Sequence, residues 1–166
     1  MNENWTFDVE TLGTVRVAND LVSSLSQYRQ FNHTIPESGG VLMGSFLNSN
    51  GALLIDNFTF PQKTDHQGRN NFFRSEAHNN LVHNIWQQSG QKTTYIGLWH
   101  THPEPIPNFS FVDANDWRNA LNISSYEGDF LFFMIVGTKS IRCWVGEKKR
   151  FRNSISLISE VQIAAK

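Results

Sequence analysis

Residues 129–137 read DFLFFMIVG, seven consecutive apolar side chains between an acid and a glycine. A run that short, with no polar face, is a central strand of a sheet and needs cover on both sides. SIRCWVG (140–146) follows across a Thr-Lys turn and pairs with it. The rest of the chain alternates strand-like with helix-like periodicity. Together these features predict an α/β fold, one domain over residues 1–166, with a mixed central sheet and helices packed on it.

The other elements follow from local pattern. ANDLVSSLSQYRQF (18–31) places Leu21, Val22, Leu25 and Tyr28 at helical spacing, with Asn19 or Asp20 as the cap. HTIPESGG (33–40) breaks that helix. VLMGSFL (41–47) and ALLIDNFTF (52–60) are strand-like and joined by NSNG, a hairpin signal. The polar segment 61–71 reads as an exposed loop. Residues 72–89 are helical through Phe73, Ala77, Leu81, Ile85 and Trp86, ending at Gly90. A strand at 93–99, a proline-rich loop at 103–109 and a helix at 111–122 come next. The tail SISLISEVQIA fits strand and helix equally.

Composition narrows the function classes. With a net charge of −1 over 166 residues, no overall field draws the chain to nucleic acid or to a membrane. No apolar run approaches the roughly 20 residues that span a bilayer. Cys143 is the single cysteine, so an intramolecular disulfide and a thiolate zinc cluster are both excluded, and its strand-like setting makes it a core residue. MNENWTFDVE has no basic start followed by an apolar stretch, so a cytoplasmic protein is expected. The basic run EKKRFR (147–152) has two readings: a solvated strand edge, or a docking patch for an acidic partner.

The chemistry concentrates in GLWHTHPEPIPNFSFVD (97–113). His100 and His102, two apart at a strand end, point to one face, and Pro103 stops the strand behind them. Ser110-x-x-Asp113 opens the next helix, with Ser110 as N-cap and Asp113 facing back. Two imidazoles and a carboxylate make a catalytic zinc set with the fourth position left for water. That set needs a base. Glu37, in PESGGVLMG, stands before a strand and two glycines that permit close backbone approach. Singly, each feature is ordinary; the joint spacing is specific.

The combination resembles the JAMM motif of the JAB/MPN metalloprotease family, an upstream Glu and then H-x-H-x7-S-x2-D. Every position is filled, by Glu37, His100, His102, Ser110 and Asp113. The resemblance implies that His100, His102 and Asp113 bind one zinc per chain, that Glu37 is general base and acid, and that Ser110 stabilises the oxyanion. It also implies a cytidine-deaminase-like α/β/α fold. The H-x-E and P-C-x-x-C pair of true zinc deaminases is missing, so deamination is not implied.

The flanks, YIGLWHTHPEPIPNFSFVDANDW and FFRSEAHNNLVHNIWQQSG, resemble a compact bacterial group. It comprises the deconjugating isopeptidases encoded beside cGAS-like nucleotidyltransferases in anti-phage CBASS operons. There, enzymes like those that activate and conjugate ubiquitin attach the nucleotidyltransferase by its C-terminus, and the JAB protease removes it. The implied partner is a conjugated protein tail. Two alternatives stay open: processing or release of a ubiquitin-like or sulfur-carrier protein, and a non-catalytic MPN scaffold. Loops 61–71 and 103–109 are expected to flank the substrate channel. His66, His78 and His83 read as ordinary polar residues, and Trp99 as core beside the first ligand.

Overall fold

A computed structural model describes residues 4–47, 53–68 and 72–165. In chain order these form β1 (Trp5–Val9), β2 (Gly13–Val17), α1 (Asn19–Ser26), β3 (Gly39–Phe46), β4 (Leu53–Phe58), β5 (His66–Gln67), β6 (Phe72–Phe73), α2 (Ala77–Gln88), β7 (Thr94–Thr101), α3 (Phe111–Ile123), β8 (Phe130–Val136), β9 (Ser140–Glu147) and β10 (Ser154–Gln162). Eight strands make one mixed sheet in the order β1-β2-β4-β3-β7-β8-β9-β10. The pairs β2–β4 and β7–β8 are parallel and the remainder antiparallel.

β8 is apolar throughout because both of its faces are covered. Phe132, Met134 and Val136 join Val15, Val17, Leu21, Leu25 and Trp99 in the core beneath α1. Leu131, Phe133 and Ile135 face the other way, onto Met43, Leu98, Trp117 and Leu121 beneath α2 and α3. Alternation of period two divides one strand between two cores, giving the expected α/β/α layering. The sheet also curls: Trp5 Nε1 donates to Ser159 Oγ at 2.8 Å, joining the strands at opposite ends of the order. At Gly97 the parallel partner is very close, since a Cβ there would lie 1.7 Å from the carbonyl oxygen of Phe132.

Several boundaries differ from the sequence reading. The hairpin β1–β2 had no strong periodic signal. The first helix ends at Ser26, and its cap residue is Ala18, which offers no side-chain bond, rather than Asn19 or Asp20. β7 runs two residues further than expected and carries His100 inside the sheet. Residues 72–73 are strand, pairing with His66–Gln67 inside a segment expected to be plain loop, so α2 begins only at Ala77. The ambiguous tail is β10, because β9 needs an edge partner. The NSNG turn (48–51) and residues 69–71 of the loop lie outside the described residues. Cys143 is buried, and burial pushes its thiol pKa up, as suits a core residue.

Candidate metal centre

β7 brings the two histidines together. Their rings project from the same face, with Nε2 of His100 3.1 Å from Nε2 of His102. Thr101 between them points the other way and is fully buried. Its Oγ1 accepts from the Ser38 N–H at 2.9 Å and donates to Gln30 Oε1 at 2.7 Å. The Thr101 N–H donates to the Ser38 carbonyl, also at 2.9 Å. Glu37, one residue earlier, is thereby held beside the histidine pair, with Oε1 3.6 Å from His102 Nε2. Gly39 pairs with His100, and a Cβ on it would lie 2.7 Å from both Phe72 Cδ1 and the Trp99 carbonyl oxygen. The glycines after Glu37 therefore serve close packing of β3 on β7.

Asp113 arrives from α3. Ser110 and Asp113 form a reciprocal capping box: the Asp113 N–H donates to Ser110 Oγ at 3.1 Å, and the Ser110 N–H donates to Asp113 Oδ2 at 2.8 Å. The box aims the carboxylate at both rings, with Oδ1 3.1 Å from His100 Nε2 and Oδ2 3.2 Å from His102 Nε2. Helix capping and ligand placement are one arrangement.

The donor set fits a metal ion. A tetrahedral ion with bonds of about 2.0–2.1 Å holds its ligand atoms roughly 3.3 Å apart. All three separations here, 3.1, 3.1 and 3.2 Å, are close to that value. Two nitrogens and an oxygen, without sulfur, are the donors of a catalytic rather than a structural zinc site. His102 Nδ1 donates to Glu104 Oε1 at 2.9 Å. That bond fixes the tautomer in which Nε2 keeps its lone pair for the centre. Glu104 stood in the quoted HTHPEP but had no role assigned; a carboxylate two residues after a ligand is its available signal.

The electrostatics are strongly perturbed. Burial pushes the Glu37 carboxyl up to about 7; His102 opposes the shift and Asp113 adds to it. Burial pulls His102 down, but Asp113, Glu37 and Glu104 outweigh it and hold the ring at about 9. His100, wholly buried, is lowered despite its bond to Asp113. Burial alone would raise Asp113, yet the two histidines and the Ser110 N–H hold it well below the carboxylate range. Anionic and cationic groups share this small space, and a divalent cation would relieve the crowding of lone pairs.

His78 is not the ordinary helix residue that its spacing suggested. It is buried, with Nδ1 2.7 Å from Thr59 Oγ1 and Nε2 2.8 Å from Asp65 Oδ2. Asp65 also accepts the N–H groups of Gln62 and Ser75, which folds segment 61–68 back on itself. The end of that segment grips the base: the Glu37 N–H donates to the Gly68 carbonyl at 3.0 Å, and Gln67 Nε2 donates to the Glu37 carbonyl at 3.1 Å. Arg74 adds a clamp. Its guanidinium reaches the carbonyls of Gly40 and Trp99 at 2.7 and 3.2 Å, and Asp116 Oδ2 at 3.1 Å, one helical turn beyond Asp113. The sequence hid these roles because Asp65, Arg74 and His78 meet their partners only in the fold.

Replacing His78 with Leu removes both ring bonds and leaves Asp65 facing an apolar side chain. We expect a loss of about 1–3 kcal/mol in unfolding free energy, measured by urea denaturation. Wild-type stability in that variant would show that the Thr59–His78–Asp65 chain does not secure the loop.

His66 is exposed, as expected, with its ring against Phe73. Trp99 is buried, and its Nε1 donates to the Thr59 carbonyl at 3.0 Å. Loop 103–109 runs from His102 to Ser110 and is fastened to the β8–β9 turn by Thr138 and Lys139 N–H groups donating to the Glu104 and Pro105 carbonyls. No helix among the described residues is long and apolar enough to cross a membrane.

Comparison with known proteins agrees with this geometry. The chain is 32% identical over 151 residues to a protein from Escherichia coli named CD-NTase/cGAS isopeptidase, covering 90% of each chain. A protein of the same name from Vibrio cholerae is 34% identical over 137 residues, covering 82% of this chain and 83% of its own. A third, from Pseudomonas aeruginosa, is 30% identical over 121 residues, covering 72% and 75%. Among solved structures, a solution structure of a protein from Desulfitobacterium hafniense shares the fold, with a TM-score of 0.56 at 14% identity over 84% of this chain and 88% of that one. Residues 20–147, which include Glu37, both histidines, Ser110 and Asp113, match the model described as prokaryotic homologs of the JAB domain, and the chain belongs to that family.

Proposed function

We propose that the chain is a zinc-dependent isopeptidase that cuts after the C-terminus of a conjugated protein, and that its partner is a cGAS-like nucleotidyltransferase. The observation that carries this reading is the buried Glu37 carboxylate 3.6 Å from a ligand nitrogen of a His-His-Asp set. The shared name of three relatives supports the substrate.

His100, His102 and Asp113 would hold the zinc, which supplies a Lewis acid that activates water and polarises a carbonyl. Glu37 takes the proton of the attacking water and returns it to the departing amine. Its pKa, pushed up to about 7, suits both transfers near neutral pH. Ser110 Oγ already accepts the Asp113 N–H, so its own hydroxyl hydrogen is free to donate to the oxyanion. Glu104 keeps His102 in the ligating tautomer. Loops 61–71 and 103–109 border the site and would hold the substrate tail extended.

The substrate half is tested with a fusion. The last residues of a CD-NTase, attached to an unrelated carrier and extended by one further residue or a lysine-linked peptide, should be cleaved at that junction. The same carrier bearing a ubiquitin-like or sulfur-carrier tail should resist. Preferential cleavage of the second substrate would assign the chain to that other pathway.

A further inference from the structure

The basic run 147–152 plays no part in the chemistry above, and the fold gives it a defined place. Loop 148–153 joins β9 to β10 and is pinned at several points. The Lys148 N–H donates to the Asp129 carbonyl at 3.0 Å, the Lys149 N–H to Asn153 Oδ1 at 3.3 Å, and Asn153 Nδ2 to Asn122 Oδ1 of α3 at 2.8 Å. Between this loop and α3 lies a pocket of about 330 Å³. Arg118, Lys149 and Arg152 line it, above a floor that includes Phe109, Ala114 and Ile155.

Three features separate this pocket from an ordinary solvated loop. Five of the chain's 14 Lys and Arg residues (Arg118, Lys148, Lys149, Arg150 and Arg152) are grouped here, on a protein whose net charge is −1. The nearby acid is Glu147, whose exposed carboxylate meets Lys149 at 3.7 Å, so most of the positive charge is uncompensated. The floor is also shared with the candidate active site. Phe109 immediately precedes Ser110 and Ala114 immediately follows Asp113, so pocket and metal centre lie on two sides of one helical turn. Phe111 and Phe151 stand almost fully exposed beside it, at 78% and 91%.

We propose that this pocket binds acidic side chains of the polypeptide being cleaved, a few residues from the scissile bond. The proposal rests on the peptidase reading for the kind of molecule that arrives. Charge decides which part of it is held. An extended chain advances about 3.3 Å per residue, so roughly three residues cross the ~10 Å width of a helix. A substrate passing Ser110 and Phe111 thus brings its third to fifth residue to Arg118 and Arg152. One or two carboxylates fill a space of about 330 Å³, and the flanking phenylalanines take neighbouring apolar residues. Within the ~8 Å screening length at physiological salt, five clustered cations act together, giving a contact that selects substrate and weakens as salt rises.

The test separates binding from catalysis. The full-length protein is titrated into a fluorescein-labelled twelve-residue peptide of alternating Glu and Phe, into its Gln-for-Glu counterpart, and into a labelled twelve-nucleotide RNA, with anisotropy read at 50 and 300 mM NaCl. The Glu peptide should bind at least tenfold tighter than the other two probes and lose affinity with salt. The variant R118E/K149E/R152E should lose that binding at least tenfold with an unchanged melting temperature. The milder R118Q/K149Q pair serves if the triple variant is unstable. Glu37→Gln should bind the peptide as wild type does, so binding stands or falls independently of the proposed reaction. On a cleavable tail fusion, Glu at the third to fifth residues from the bond should lower KM without changing kcat. Equal affinity for the Glu and Gln peptides, tighter binding of the RNA, or undiminished binding by the variants would overturn the assignment.

Discussion

Glu37→Gln should lower turnover of a conjugated substrate by about 10²–10⁴-fold, the usual contribution of a positioned acid–base group, while metal content stays at that of the wild type. The substitution preserves size, and the main-chain bonds that fix residue 37, from its N–H to Gly68 and from Gln67 to its carbonyl, do not involve the side chain. What disappears is a group able to gain and lose a proton near neutral pH. Glu37 is 3% exposed, so no bulk water can take over its task directly. Metal analysis beside initial rates on one preparation checks both halves. Cleavage at the wild-type rate would remove Glu37 from the reaction.

Asp113→Ala should abolish stoichiometric metal binding and destabilise the protein as well. The carboxylate meets both imidazoles and closes the capping box of α3, so one truncation removes a ligand and a cap. We expect metal affinity to fall by more than the about 10–100-fold typical of changes outside the ligand shell. Loss of the cap adds about 0.5–2 kcal/mol of destabilisation. Asp113→Asn separates the two effects. Its amide oxygen can still accept the Ser110 N–H while the negative charge facing the rings is gone, so this variant should keep most of the stability and lose most of the metal. If Asp113→Ala binds metal as tightly as wild type, Asp113 is a cap and nothing more.

The candidate site was legible because its chemistry is written in local spacing. Two residues in a strand share a face by period two, and Ser-x-x-Asp closes its own hydrogen bonds within one helical turn. Only Glu37 needed the fold, which delivers it through pairing of Gly39 with His100. The supporting residues were illegible for the complementary reason. Thr59, Asp65 and His78 are separated by loop and helix, and nothing local distinguishes His78 from His83, which stays half-exposed on the same helix. In the fold, the same division holds. β8 was plain because both faces are apolar, whereas the short β5–β6 pair and the end of α1 at Ser26 depend on packing that no window of sequence contains.

Metal-dependent hydrolysis of a conjugate is tested most directly by one titration. Protein stripped by a chelator and then freed of it is mixed with increasing zinc, and release of a CD-NTase from its conjugate is followed at each addition. The rate should be near zero without metal, rise in proportion to zinc, and level off at one ion per chain, with Glu37→Gln binding the same ion and staying inactive. Full cleavage by the stripped protein, or a plateau that Glu37→Gln shares, would contradict the assignment of His100, His102 and Asp113 as the centre of the reaction.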